Sequence, residues 1–290
     1  MKEFIIDKNN DGVRLNKFMQ KVMPSVKMGE IYKALRKKKV RVNGKHKDAE
    51  LRLLENDVVS IYMNDEFFES DAPDFPWLTA NTDIDIVYED KNIIILNKPS
   101  GLVSQDEGDS LESRMRAYLY KKGEIDLDAV PLFIPSLCHR IDRNTSGLVI
   151  GAKNALYLRE INERIKKREI RKFYLLKTER TPNPPNGIIE GYLKKDEKNR
   201  KMVFADDGTY CKTAYKTLKG GEPALVEAEL FTGRTHQIRA GFARLNAPLV
   251  GDVKYGAKKT ADKDYQQLIS YKIIFDFDDG SYLSKKEIQI

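Results

Sequence analysis

Between Arg52 and Lys91 the chain carries no basic residue. Within that gap, residues 64–82 include Asp65, Glu66, Glu69, Asp71 and Asp74, together with Pro73 and Pro76. An acidic stretch broken by prolines supports neither a long helix nor a strand, so residues 63–82 read as an interdomain linker. Phe67, Phe68, Phe75 and Trp77 imply that part of the linker packs against a domain surface. The chain is therefore expected to fold as a small unit at 12–62 and a large one at 83–290.

Charge divides at the same place. Of the 290 residues, 1–62 hold 15 Lys or Arg against 8 Asp or Glu, while the remaining 228 hold 36 of each sign. The whole net charge of +7 thus belongs to the first fifth of the sequence. A phosphate backbone is attracted by such a field, although a well-solvated basic surface would look the same. Hydrophobic residues at 41% and charged residues at 33% fit a globular protein. No apolar run approaches the roughly 20 residues that span a bilayer. The start, Met-Lys-Glu-Phe-Ile-Ile-Asp, does not resemble a signal peptide. Cys138 and Cys211 form no CxxC pattern, which favours a reducing compartment. These features lead us to expect a cytoplasmic protein. A monomer is expected because no long apolar stripe calls for a partner.

In the first unit, Leu15, Phe18, Met19 and Val22 stand at i, i+3, i+4, i+7, the spacing of an amphipathic helix. Pro24-Ser25 ends it. A second helical stretch puts Ile31, Ala34 and Leu35 on one face and runs into Arg36 to Lys39. Val40-Arg41-Val42 then alternates like a strand and stops at Asn43-Gly44, a tight-turn signal. A last strand is expected at Val58 to Tyr62. Arg14-Leu15-Asn16-Lys17-Phe18-Met19 and Val40-Arg41-Val42-Asn43-Gly44 resemble the RLDKFL and VxVNG signatures of the S4 RNA-binding domain, with Asn16 where Asp is usual. The resemblance implies that Lys33, Arg36, Lys37, Lys38, Lys39 and Arg41 face an RNA backbone and position it.

Beyond Asp83, strands are expected at Ile84–Val87, Ile93–Leu96, Leu148–Ile150, Phe173–Thr178 and Val226–Phe231. Helices are expected at Leu111–Lys121 and Leu156–Lys167. Mixed in this way, with Asp-Gly and Gly-Gly turns later on, the elements predict an α+β domain around a mixed, mostly antiparallel sheet.

The segment Ser136-Leu137-Cys138-His139-Arg140-Ile141-Asp142-Arg143-Asn144-Thr145-Ser146-Gly147-Leu148 is the richest in chemistry. It sets a carboxylate between two arginines, ahead of a turn and an apolar strand. Flanking cations favour an ionised Asp, available as a nucleophile or base. The same pattern also suits an Asp held in a turn by ion pairs.

His139 to Leu148 match, without a gap, the HRxDxxTSGL signature of the RluA-type pseudouridine synthases. The resemblance implies that Asp142 is the essential catalytic residue and that Arg140 enters the RNA stack where the target base has left. Asn97-Lys98-Pro99-Ser100-Gly101-Leu102 resembles the family's NKPxGL stretch. Arg171-Lys172-Phe173-Tyr174 resembles its K-x-Y strand, which implies that Tyr174 packs against the reacting base. Thr232 to Arg239 match TGRTHQIR, followed by Gly251-Asp252 and Tyr255-Gly256, and the resemblance implies that Arg234 pairs with Asp142. These matches run from about Arg14 to Gly256.

Read from the residues alone, Tyr174 in an apolar strand is a core residue. His139 and His236 read as hydrogen-bonded structural groups, since no further His or Cys stands at metal-ligand spacing. Residues 97–101 lack the GxxxxGK pattern of a phosphate loop, so Lys98 reads as structural or RNA-contacting. No metal and no cofactor is expected.

The implied reaction breaks the bond from C1′ to N1 of uracil, turns the base and rejoins it through C5, consuming no redox equivalent. The uridine must first leave its stack. Asp142 would attack C1′ or remove a sugar proton, Arg234 would hold the carboxylate, and Tyr174 would confine the base. A non-catalytic RNA-binding or ribosome-assembly protein is one alternative. A glycoside hydrolase is another, but it needs a second carboxylate that these motifs do not supply. Large-subunit ribosomal RNA is the expected substrate, with transfer RNA as the alternative.

Overall fold

The structure, a computed structural model, describes residues 1–290 apart from 69–74, 107, 128–132 and 260–264. Glu69, Asp71, Pro73 and Asp74 of the acidic segment lie outside the described residues.

The first unit is built from β1 (Lys2–Ile5), α1 (Leu15–Val22), α2 (Met28–Arg36), β2 (Val40–Val42) and β3 (Val58–Ile61). Leu15, Phe18, Met19 and Val22 are all buried, so the helical spacing becomes the inward face of α1. They pack with Ile31, Val40, Val59 and Ile61 into one core, each large apolar side chain contributing roughly 1.5–3 kcal/mol. Strand β3 lies between β1 and β2, and both pairings are antiparallel. Strand β1, upstream of residue 12, completes that sheet.

The acidic segment is anchored on both sides of the undescribed residues. Phe68, in a short 3-10 turn, stacks 6.0 Å from Phe4 of β1. Trp77, in a second such turn, is buried against Phe75 and Tyr120, with ring centroids at 5.4 and 6.1 Å.

The second unit runs β4 (Asp85–Glu89), β5 (Ile93–Lys98), α3 (Leu111–Lys121), β6 (Ser136–Leu137), β7 (Ser146–Ala152), α4 (Ala155–Lys167), β8 (Ile170–Thr178), β9 (Asn186–Asp196), β10 (Lys201–Ala205), β11 (Thr209–Lys219), β12 (Ala224–Leu230), α5 (Gln237–Arg244), β13 (Leu268–Phe275) and β14 (Glu287–Gln289). Its strands form one mixed sheet in the order β10-β9-β11-β12-β8-β13-β7-β5-β4, with β14 on β13 and β6 on β7. Among the described residues only β7 and β13 pair in parallel.

Helices cover both faces, which is why β5 reads as an unbroken apolar run. Ile94 and Leu96 join the core under α3 and α5, while Ile93 and Ile95 join the one under α4. The two units touch through α4: the Ala155 N–H donates to Asn9 Oδ1 at 3.1 Å, and Arg159 donates to the Asp11 carbonyl at 2.6 Å.

The parallel pair fixes one glycine. Gly147 at the start of β7 has φ +107 and lies flat against the Ser270 backbone, so an added Cβ would overlap the Ser270 carbonyl. Ser270 Oγ also donates to the Leu148 carbonyl at 3.1 Å. The loop that carries Asp142 therefore enters the sheet at a fixed point.

Candidate active site

Asp142 lies in the loop between β6 and β7, and backbone contacts from residues 98–104 hold that loop. Lys98 is fully buried, and its ammonium donates to the carbonyls of Pro99, Leu102 and Arg143 at 2.9, 2.6 and 2.8 Å. All three protons are used, so Lys98 is structural. Burial pulls its pKa down to about 8, against the raising effect of the Asp142 charge. Ser104 Oγ donates to the Ile141 carbonyl at 2.8 Å and accepts from the Ile141 N–H at 3.1 Å. Ser100 Oγ donates to the Asn144 carbonyl at 3.0 Å. A carboxylate held on so constrained a loop loses little further freedom when a substrate arrives.

Asp142 opens into a cavity of about 320 Å³ lined by Arg140, Tyr174, Leu230, Arg234 and Arg239 among others, within the size range of small-ligand sites. The Asp142 side chain is 27% exposed. Tyr174 projects from β8 into the same cavity. Burial raises its phenol pKa well above the usual value, a hydrogen bond with Ser270 opposes that, and the Asp142 charge adds to it. It stays a neutral aromatic surface at physiological pH. Arg140 sits exposed on the rim.

The cation facing Asp142 is Arg239, which corrects the expectation for Arg234. Arg239 Nη1 stands 3.7 Å from Asp142 Oδ2. Its Nε and Nη2 donate to Asp252 Oδ2 and Oδ1 at 2.7 and 2.8 Å. Its plane also lies over the Tyr255 ring at 4.9 Å. Arg239 is buried, and the charges of Asp252 and Asp142 keep it protonated against the desolvation that opposes them. Arg234, by contrast, is exposed in the loop before α5 and donates through Nε to the Tyr210 carbonyl at 3.0 Å. It lines the cavity without pairing to Asp142. The reason is position: Arg239 is on the buried side of α5, while Arg234 precedes the helix. The motif contains both arginines, and spacing alone does not choose between them. A carboxylate in Gly251-Asp252, able to lock one of them, was the available signal.

The histidines serve the scaffold. His139 Nε2 accepts from the Ile150 N–H at 3.2 Å, and desolvation, with the nearby Lys172 charge, holds the ring neutral. His236, at φ +53 ahead of α5, has Nδ1 3.0 Å from the Tyr255 hydroxyl. That hydroxyl already accepts from the Met202 N–H at 2.9 Å. Burial and Arg239 lower the His236 pKa, with Asp142 opposing. Among the described residues no group of three or more His, Cys, Asp or Glu could hold a metal.

The basic residues of the first unit lie apart from this cavity. Lys33, Arg36, Lys37, Lys38, Lys39 and Arg41 are all exposed along the end of α2, the following turn and β2. Lys33 pairs loosely with Glu30 at 3.3 Å, and Arg41 lies over the Tyr62 ring at 5.3 Å.

The model of the family described as RNA pseudouridylate synthase matches residues 92–244. A protein of Mycoplasma capricolum subsp. capricolum, described as an uncharacterized RNA pseudouridine synthase, is 32% identical over 283 residues, covering 95% of this chain and 92% of its own length. The ribosomal large subunit pseudouridine synthase C of Rickettsia felis is 32% identical over 274 residues, covering 88% of this chain and 86% of its own. Among solved structures, human RNA pseudouridylate synthase domain containing 4 shares the fold with a TM-score of 0.57 at 22% identity, over 71% of this chain and 87% of that one.

Proposed function

The chain belongs to the RNA pseudouridylate synthase family and is an RNA pseudouridine synthase; from that premise we propose that it isomerises particular uridines of large-subunit ribosomal RNA, with Asp142 as the reacting group. The observation that carries this reading is the Asp142 carboxylate held on a clamped loop, 3.7 Å from Arg239 and in one cavity with Tyr174.

A uridine extruded from its stack costs a few kcal/mol, and Arg140 on the rim is suited to fill the gap it leaves. Asp142 then acts on the ribose, either by attacking C1′ to give a glycosyl ester or by removing a sugar proton to give a glycal. In both routes the bond from C1′ to N1 breaks, C1′ joins C5, N1 gains a proton and C5 loses one. Arg239, fixed by Asp252, keeps the carboxylate charged and aimed without reorganising during the reaction. Tyr174 walls the cavity so that the freed uracil turns in place instead of leaving. Arg234, on the same wall, is available to the RNA.

Residues 12–62 are assigned as an S4-like RNA-binding unit, joined by 63–82 to a catalytic domain at 83–290. Lys33, Arg36, Lys37, Lys38, Lys39 and Arg41 supply exposed positive charge for phosphate contacts that set register without reading sequence. The ribosomal substrate is favoured by the name of the Rickettsia felis relative, a large subunit pseudouridine synthase. The same reading makes the protein a cytoplasmic monomer.

The test is to map pseudouridine at single-nucleotide resolution in large-subunit ribosomal RNA from cells lacking the gene, complemented with wild type or Asp142→Asn. Sites that vanish on deletion and return only with wild type identify the substrate. Unchanged ribosomal RNA, with lost sites in transfer RNA instead, would reassign it.

A further inference from the structure

Lys172 and Tyr174 are two residues apart on β8, so their side chains leave the same face of the sheet. Both line the Asp142 cavity. Lys172 is only 8% exposed, yet no described residue accepts a hydrogen bond from its ammonium or pairs with it. Buried charges are normally compensated, because an uncompensated one is costly to desolvate. Burial pulls the Lys172 pKa down to about 8, which still leaves it charged at neutral pH.

Lys172 also belongs to a second cleft, of about 440 Å³, between the end of α4, β8 and the loop after β12. The charged side chains of that cleft are Lys166, Arg168, Arg171, Lys172 and Arg234, against Glu229 alone. Glu229 is already engaged, accepting from Arg171 at 2.7 and 3.0 Å. The cleft is therefore strongly positive, and the largely buried Lys172, without a partner among the described residues, opens onto it where it meets the cavity. The Asp142 charge acts on the Tyr174 phenol but is not among the influences on Lys172. Lys172 is shared between the Asp142 cavity and the basic cleft beside it.

We infer that this cleft holds a backbone phosphate of the RNA strand delivering the target uridine, with Lys172 as its buried contact and Arg168 as its exposed one. The inference rests on the RNA substrate proposed above. A flipped nucleotide in the cavity must leave its flanking phosphates at the mouth, and a partly desolvated cation there binds phosphate more strongly than a fully solvated one does.

The experiment uses the full chain and an in-vitro transcript of large-subunit ribosomal RNA labelled with tritium at uridine C5, which is released as the new bond forms. Wild type, Lys172→Met and Arg168→Ala are compared for binding between about 50 and 300 mM salt and for turnover. Each variant should flatten the dependence of log affinity on log salt by about one phosphate, a slope change of about 0.7 to 0.9. Each should raise KM about five- to tenfold while kcat stays within about twofold. Arg168 is on the surface, so a shared effect cannot come from misfolding. Unchanged slopes in both variants, with wild type binding normally, would overturn the cleft assignment and leave the substrate reading standing. A collapse of kcat in Lys172→Met at unchanged affinity would also overturn it, moving Lys172 to the base itself. A wild type without salt-dependent binding would sink both.

Discussion

Arg239 presents one edge to Asp252, with donors at 2.7 and 2.8 Å, and its remaining nitrogen to Asp142 at 3.7 Å. The arginine is thus positioned by one carboxylate in order to serve another. Arg239→Met strands Asp252, which is 1% exposed, and breaking such a buried pair costs about 3–5 kcal/mol. It also removes the cation beside Asp142, and kcat should fall by about 10²- to 10³-fold. Asp252→Asn leaves Arg239 charged but loosely held, so kcat should drop with a smaller loss of stability. Thermal melts and single-turnover rates on both variants check this. An Asp252→Asn enzyme with wild-type kcat would remove the positioning role.

Gly147 should tolerate no side chain. A Cβ at φ +107 would meet the Ser270 carbonyl, and the backbone must move β7 away from β13 to admit it. Gly147→Ala is expected to cost about 3 kcal/mol and to disturb the loop that carries Asp142, just upstream of β7, more than it disturbs RNA binding. Denaturant unfolding and a binding titration on the same preparation separate the two effects.

Lys172 links stability to pH with a definite sign. Its folded pKa is depressed to about 8 from 10.5, so between those values the unfolded chain binds more protons. The penalty of burying the charge is then fully present below pH 8 and disappears as pH rises through 10.5, a swing of about 3 kcal/mol. Lys172→Met should therefore melt above wild type at pH 7, and the gap should close by pH 10.5. A gap that stays constant with pH would mean that packing, not charge, sets the difference.

Where burial followed a simple period, the sequence was readable. Leu111–Lys121 is a helix with those limits, and the strand expected at Ile93–Leu96 lies within β5, because an apolar run sandwiched between two cores admits little else. The strands β10, β9 and β11 at one edge of the sheet were not anticipated. They carry Ile188, Tyr192 and Tyr210 on the exposed side and Ile189, Leu193 and Cys211 on the buried one, so apolar residues occupy both faces and the alternation is lost. Helix α5 was hidden for the opposite reason. Gln237 and Arg239 are buried polar residues on its inner side, where a periodic reading looks for apolar ones. The same feature concealed the role of Arg239, because its burial depends on Asp252, thirteen residues away. That Asp142 and Tyr174 share one cavity was not legible in composition or period, since that cavity is assembled from a loop, a strand and the approach to α5.

The most direct measurement is tritium release from C5-labelled uridine in a transcript of large-subunit ribosomal RNA by purified wild type and Asp142→Asn. The variant keeps the size of the side chain, so it should melt within about 2 °C of wild type and bind the transcript as tightly. Its release rate should fall by about 10⁴-fold or more. A folded, RNA-binding Asp142→Asn protein that releases tritium at the wild-type rate would contradict the assignment of Asp142 as the reacting group.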